Sequence, residues 1–240
     1  MNRIIGSGLI GKSMVNLKTD AGCLIIGAGV SNSGETRASE FLREKELVES
    51  LLYKYRALRV VYFSTCSVNQ SIKTPYVNHK IAMESMISSL AEEWCIYRLP
   101  QVVGLVNNTT LISYLVRAIL DKSVLTLHVK ARRRLIDIDD VVRVCELLLN
   151  SDKGINTVQN IAPSYSVSVV EIVEHIALIL STRPRYELLD SGESYDIDLQ
   201  DIMGFIGRED TIFARSYWSK VLDKYVAQMR NNILKGFYEY

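Results

Sequence analysis

The chain lacks any marked excess of charge: its 240 residues carry 28 Lys and Arg against 27 Asp and Glu. A formal net charge of +1 gives no general attraction to nucleic acid or to an anionic membrane surface, so an anionic ligand has to be held by local groups. Paired cysteines are lacking too. Cys23, Cys66, Cys95 and Cys145 lie far apart with no CxxC spacing and no secretory leader, so free thiols and a reducing, cytoplasmic setting are expected. The longest apolar runs, such as "CLIIGAGV" and "LISYLVRAIL", fall well short of the roughly 20 residues of a spanning helix, so a transmembrane role is not expected. His79, His128 and His175 sit on separate segments without ligand spacing, so no metal is expected, and His79 is expected on the outer face of its helix. No internal repeat or low-complexity segment is visible.

What is present is a chain with 48% hydrophobic residues, enough to bury a full core as one domain or as a large domain with a small appendage. "NRIIGSGLIGKSMVNL" reads strand, turn, helix; "AGCLIIGAGV" and "LRVVYFSTCSV" read as buried strands; "SEFLREKELVESLLYKY" has helical spacing. Helices are expected over "VNHKIAMESMISSLAEEW", "TLISYLVRAILDK", "DIDDVVRVCELLLN" and "SVSVVEIVEHIALIL", with strands in "CIYRLPQVVG" and "TVQNIAP". Alternating strands and helices predict an α/β fold, a Rossmann-like doubly wound parallel sheet covered on both faces. Beyond about residue 181 the pattern weakens before a last amphipathic helix around "SYWSKVLDKYVAQMRNNILKGF". Residues 1–160 are expected to form the main domain, and 161–240 mostly a smaller substrate lobe interleaved with it.

"GSGLIG" fits GxGxxG, in which Gly6 permits the tight turn, Gly8 lets a pyrophosphate approach the backbone, and Gly11 lets helix and strand pack closely. Taken alone, this pattern is an ordinary glycine turn as often as a dinucleotide site. An acidic residue for the adenosine ribose belongs at the end of the second strand, roughly 20 residues on. That count lands on residues 31–35, which already follow "CLIIGAGV". The chain from Lys18 to Gly22 is too short for another strand-helix-strand unit of about 30 residues, so the second and third strands of the full fold are missing.

In "TPYVNHKIAMES", Tyr76 and Lys80 are one helical turn apart and share a face. A free phenol titrates near 10, and a neighbouring ammonium favours its phenolate. With Thr65 from the strand end "FSTCSV", the three compose a proton-transfer site for a carbonyl or an alcohol; the plain alternative is an amphipathic pair on a solvated helix face. Cys66 reads as a small apolar filler at a strand end.

With these residues in order, the sequence resembles the extended short-chain dehydrogenase/reductase family, in its NAD-dependent epimerase/dehydratase branch acting on nucleotide sugars. The resemblance spans nearly the whole chain: "IIGSGLIG" for the cofactor turn, "VVYFSTCSV" for the strand with the catalytic hydroxyl, "PYVNHKIAME" for the PYxxxKxxxE helix, "YRLPQVVG" for RxxxVxG, and "RRRLIDIDDV" for R-x-x-I-x-V-x-D. It implies Tyr76 as acid/base, Lys80 on the nicotinamide ribose with the effect of lowering the tyrosine's pKa, and Thr65 on the substrate oxygen. The NAD or NADP site it implies comprises Gly6, Gly8, Leu9, Ile10, Gly11, Ala28, Gly29, Ser64, Tyr76, Lys80, Leu99 and Val102. The nucleotide-sugar site it implies comprises Thr65, Ser67, Gln101, Asn107, Asn108 and Arg133, the last reaching a diphosphate that a guanidinium can bind with two parallel bonds.

Sugar 4,6-dehydratases of this family carry acidic residues directly after the catalytic threonine, where this chain has Cys66 and Ser67. Dehydration is therefore not expected. Reduction of a 4-keto sugar nucleotide is the expected activity; 4-epimerisation, and a non-catalytic nucleotide-binding or scaffold role that keeps the fold, stay open as alternatives. A homodimer through the helices flanking Tyr76 and Lys80 is implied as well.

Overall fold

A computed structural model describes residues 2–105, 110–151 and 154–236. Asn107 and Asn108 lie outside the described residues. The chain runs through β1 (Arg3–Ile5), α1 (Leu9–Ser13), β2 (Cys23–Ile26), α2 (Ala38–Lys54), β3 (Arg59–Thr65), α3 (Pro75–Leu90) and β4 (Trp94–Leu99). It continues through β5 (Gln101–Val103), α4 (Leu111–Leu120), β6 (Val124–His128), β7 (Arg132–Arg133), β8 (Leu135–Asp137), α5 (Ile138–Leu149) and β9 (Thr157–Asn160). Last come β10 (Val167–Ser168), α6 (Val169–Ile179), β11 (Arg185–Leu189), α7 (Gln200–Ile206) and α8 (Tyr217–Leu234). Two compact units alternate along the sequence: Met1–Leu99, Asp139–Ile161 and Tyr195–Ile206 make the first, and Pro100–Ile138, Ala162–Ser194 and Gly207–Tyr240 the second.

The first unit is built on a five-stranded sheet in the order β1-β2-β3-β4-β9, parallel at every pairing. Its strands are apolar on both sides because both faces are covered. Leu24, Ile26, Val60, Tyr62 and Ile96 pack against Val48, Leu51 and Leu52 of α2 and Met83 and Ile87 of α3. The alternate residues Cys23, Ile25, Val61, Cys95 and Tyr97 point to the other face and are buried as deeply. Among the described residues β1 pairs with β2 alone, Arg3 opposite Leu24, so β1 is an edge strand. From β1 the chain reaches β2 through α1 and one 3-10 turn at Met14–Asn16, which is the shortening that the sequence predicts. The expected single strand in "CIYRLPQVVG" is two strands. Pro100 has no N–H to continue the ladder and restricts Leu99 before it, so β4 stays in the large sheet while β5 pairs with β8 in the second unit.

The second unit holds three two-stranded pairs, β5 with β8 and β6 with β11 parallel, β7 with β10 antiparallel. Its helices α4 and α6 start with capping boxes, Thr110 with Ser113 and Ser168 with Glu171, which satisfy otherwise orphaned N–H groups. Asp137, at the end of β8, is nearly buried and is held by α8. The Tyr225 hydroxyl donates to its Oδ1 at 2.6 Å, Lys224 Nζ to its Oδ2 at 2.6 Å, and the Asp137 N–H donates to the Tyr217 hydroxyl at 3.0 Å. No helix among the described residues is long and apolar enough to cross a membrane.

Asp137→Ala removes the acceptor of two bonds to one carboxylate. It is expected to lower stability by about 2–3 kcal/mol in urea unfolding, and Asp137→Asn by less, since the amide still accepts from Tyr225.

Candidate active site

α3 starts where its sequence says it should. Pro75 occupies the first turn, and the Thr74 hydroxyl accepts from the Val77 N–H at 3.2 Å. From that start, Tyr76, Lys80 and Glu84 follow at one-turn intervals on the buried face of the helix, beside Val77, Met83 and Ile87. Three polar side chains on a core-facing stripe need partners, and each has them.

Tyr76 meets Thr65, the last residue of β3, through a side-chain hydrogen bond. Thr65 Oγ1 also accepts from the Ser67 N–H at 3.1 Å, which fixes its rotamer as the cap of the short 3-10 turn Cys66–Asn69. Ser67 Oγ lies 3.3 Å from the Tyr195 hydroxyl, so a segment late in the sequence brings a second phenol to the site. Burial raises the pKa of Tyr76 above its ordinary value, the negative charge of Glu44 raises it further, and the Thr65 bond works the other way. Cys66 is fully buried, its thiol donating to the Arg98 carbonyl.

Lys80 is enclosed. Its ammonium donates to Glu44 Oε1 at 2.8 Å and to the Tyr62 hydroxyl at 2.9 Å, and it lies 5.9 Å from the centre of the Tyr76 ring. The Tyr62 hydroxyl in turn donates to Glu44 Oε1 at 2.6 Å, while Glu44 Oε2 accepts from the Val30 N–H at 2.7 Å and sits 2.9 Å from His79 Nε2. Burial pushes the Glu44 carboxyl up, but the Lys80 charge and the bonds from Lys80, Tyr62 and Val30 together bring it below its ordinary value. Burial lowers the pKa of Lys80, and Glu44 counters it. His79 therefore does not ride on the outer face of α3. It stacks on Phe41 at 4.8 Å and faces Glu44, because a buried carboxylate oxygen with a single N–H on it draws a further donor inward.

A second carboxylate anchors the other end of the motif. Glu84 receives Arg98 from β4 with two bonds, Nε to Oε1 at 2.9 Å and Nη2 to Oε2 at 2.5 Å, and Ser64 Oγ donates to its Oε1 at 2.5 Å. Ser64 is thus tied to Glu84, and Leu99 is buried at the end of β4. Gln101, Val102 and Arg133 belong to the second unit, where the Gln101 N–H donates to the Arg134 carbonyl and Arg133 Nη1 to the Arg132 carbonyl. Glu44, Tyr62, Glu84 and Tyr195 have no role in the sequence-based site. Glu44 had a signal: it falls on the stripe of Val48, Leu51 and Leu52, a charge where α2 is otherwise apolar.

The glycine turn can be tested against a dinucleotide by its own space. A Cβ on Gly6, at φ +125°, would meet the Gly27 carbonyl carbon at 2.5 Å, and one on Gly11 would meet the Gly6 carbonyl oxygen at 2.3 Å. These two glycines join β1, α1 and the end of β2 backbone to backbone. A Cβ on Gly8 would meet nothing within 4 Å. Gly8 therefore borders open space at the start of α1, the cradle a pyrophosphate needs, with Leu9 and Ile10 half-buried beside it and Ala28 and Gly29 half-buried after β2. Lys80 has two of its three N–H groups engaged and none of the described residues accepts the third, as a contact to a ribose hydroxyl requires. The residues fit a nicotinamide dinucleotide on the turn and at the nicotinamide ribose; among the described residues no strand lies beyond β1 to supply the acidic partner of the adenosine ribose. No group of three or more His, Cys, Asp or Glu among the described residues could hold a metal ion.

Gly11→Ala forces a methyl into a backbone oxygen and is expected to cost about 2 kcal/mol or more in thermal or urea unfolding. Gly8→Ala, at φ −76° in open space, is expected to stay within about 1 kcal/mol of the natural protein.

None of the curated proteins matches the chain. Solved structures share its fold. RMD from Pseudomonas aeruginosa, complexed with NADPH, superposes with a TM-score of 0.72 at 15% identity over 91% of this chain and 83% of that one. A dTDP-glucose 4,6-dehydratase from Bacillus anthracis, in complex with NAD, gives 0.70 at 17% identity over 89% and 74%. A UDP-glucuronic acid 4-epimerase from Bacillus cereus, in complex with UDP-glucuronic acid and NAD, gives 0.69 at 18% identity over 85% and 76%. The family model described as "NAD dependent epimerase/dehydratase family" matches residues 24–162, a stretch that runs from within β2 to beyond β9 and holds Thr65, Tyr76 and Lys80. The chain belongs to the NAD-dependent epimerase/dehydratase family.

Proposed function

We propose that the protein is an NAD(P)-dependent nucleotide-sugar oxidoreductase that reduces a 4-keto sugar nucleotide, with Tyr76 as the proton donor. The observation that carries this reading is the state of Tyr76. Its hydroxyl is buried against Thr65 and its pKa is raised, so the phenol keeps its proton near neutrality and is suited to give it to a developing alkoxide. Thr65 hydrogen-bonds the same carbonyl oxygen and fixes its direction. Gly6, Gly8, Leu9, Ile10 and Gly11 hold the pyrophosphate, and Lys80 holds the nicotinamide ribose. When bound, the cofactor supplies the hydride. The neighbours described with NAD or NADPH support the cofactor, and those named for UDP-glucuronic acid or dTDP-glucose support a nucleotide-sugar substrate.

Cys66 and Ser67 stand where a dehydratase needs acids; neither side chain supplies the acid and base of water elimination. Epimerisation at C4 is the second reading. It uses the same three residues and is favoured by the likeness to a UDP-glucuronic acid 4-epimerase. The second unit, with Gln101 and Arg133, is proposed as the substrate lobe. Leu42 and Tyr53 of α2 and Ile81 and Leu90 of α3 are exposed apolar side chains, and we assign them to a homodimer contact through these helices. The four free cysteines are all buried, in keeping with a cytoplasmic enzyme.

Three outcomes are expected. NADH absorbance falls when 4-keto sugar nucleotides are added, and Tyr76→Phe reduces that rate by about 10²–10⁴-fold while leaving the fold intact. Unchanged turnover in Tyr76→Phe overturns the acid assignment, and retention of the cofactor through purification with interconversion of 4-epimers and no net NADH loss selects the epimerase. Because no strand among the described residues lies beyond β1 to bring an acidic side chain to the adenosine ribose, NADH and NADPH are expected to bind within about tenfold of one another in fluorescence titration. Light scattering is expected to give a dimer, and a strict monomer overturns that contact.

A further inference from the structure

Glu44 is the most enclosed charge of the first unit, 0% exposed, and it belongs to none of the motifs. It lies on the core-facing stripe of α2, one turn before Val48. Its two oxygens collect the Tyr62 O–H, the Lys80 ammonium, the Val30 N–H and His79. The backbone lies close against it as well: a Cβ on Gly29 would lie 2.5 Å from Glu44 Oε1, so a side chain there would push on the carboxylate.

We propose that Glu44 is a positioning residue of the Tyr76 site, which holds Lys80 as a fixed ammonium and leaves one N–H for the ribose of the cofactor. The inference rests on the dinucleotide reading above. Two of the three ammonium hydrogens are directed at Glu44 Oε1 and the Tyr62 oxygen, which sets the direction of the third. Burial by itself favours the uncharged form of a lysine, and buried lysines that titrate at about 5–6 are known. A carboxylate at 2.8 Å opposes that loss. The same negative charge discourages the Tyr76 phenolate, so one side chain keeps both protons of the site in place, on Lys80 and on Tyr76. The titratable and charged groups around the pair are Tyr62 from β3, His79, Tyr76 and Glu84 from α3, with Val30 supplying only its N–H.

The test is the dissociation constant of NADH, followed by its fluorescence, against pH from about 5 to about 9, a range that spans the shift from about 10 down to about 5–6 that burial imposes on a lysine without its counter-charge. All measurements are repeated in a His79→Gln background, because His79 touches Glu44. The natural chain is expected to hold its affinity within about twofold across the range, whereas Glu44→Gln weakens by about fivefold or more as pH rises. Glu44→Asp, which keeps the charge, restores the flat profile, and Lys80→Met binds weakly at every pH. A Glu44→Gln profile as flat as that of the natural chain overturns the proposal, since damaged packing weakens binding equally at each pH. Should Glu44→Gln fail to fold, the natural chain decides: an affinity that falls with rising pH shows that Lys80 is not held charged, and a flat profile in the His79→Gln background supports the assignment. Absence of NADH binding by the folded natural chain is a different result, which overturns the dinucleotide reading and this proposal with it.

Discussion

The buried ion pair between Glu44 and Lys80 is the constraint around which the first unit is arranged. Removing two opposite charges from water costs several kcal/mol per ion, and mutual attraction offsets this only when the remaining hydrogen-bonding positions are filled. Those of Glu44 are filled from three directions, by the Tyr62 hydroxyl on β3, the Val30 N–H after β2 and His79 on α3, while Lys80 keeps one N–H open among the described residues. The pair therefore fixes how α2 and α3 sit on the sheet and how the segment after β2 folds back. Glu84 repeats the device one turn along α3, binding Arg98 and Ser64 and so joining the helix to β4 and β3. Tyr76, between Thr65 and these two anchors, has little freedom left. Apolar residues of similar size would commonly be as stable or more so, which makes the polar stripe on α3 a cost accepted for what it positions.

Much of this was legible in the sequence, and the reasons are local. β2, β3 and α3 announce themselves because buried parallel strands are uninterrupted apolar runs and because Thr74 and Pro75 mark a helix start. The missing strands are readable from chain length alone, since the segment between "IIGSG" and "CLIIG" cannot hold them. The short strands β6, β7, β8, β10 and β11 were not readable: two to five residues carry too little periodicity, and their pairing is set by partners distant in sequence, such as Arg185 opposite Val124. The same limit hid the side-chain partners. A YxxxK spacing places Tyr76 and Lys80 on one face but does not say that Glu44, thirty-odd residues earlier, takes the ammonium, nor that Tyr195 reaches Ser67. The tuning charge expected from Lys80 is shared with a carboxylate that only the tertiary fold brings near.

The second unit solves its own version of the problem with one carboxylate. Asp137 ends β8, and α8 closes on it with Tyr217, Lys224 and Tyr225. Spacing along α8 explains why one strand end can gather them: positions 217, 221 and 225 fall on one face, with Val221 buried between the two tyrosines. Helix and strand are thereby locked in register by polar contacts at one end and by apolar packing along the rest.

The direct pairing of β1 with β2 also bears on how the chain finds its fold. In a full doubly wound sheet of order 3-2-1-4-5-6 the first strand also has to meet the fourth, from which two strands separate it in sequence. Here Arg3 needs only to meet Leu24, with the glycine turn between them as the hinge. Short loops close in well under a microsecond, and local contacts of this kind favour rapid folding. The amino-terminal strand, its turn and β2 are thus joined by pairings of short sequence separation, from Arg3 opposite Leu24 to Ile5 opposite Ile26.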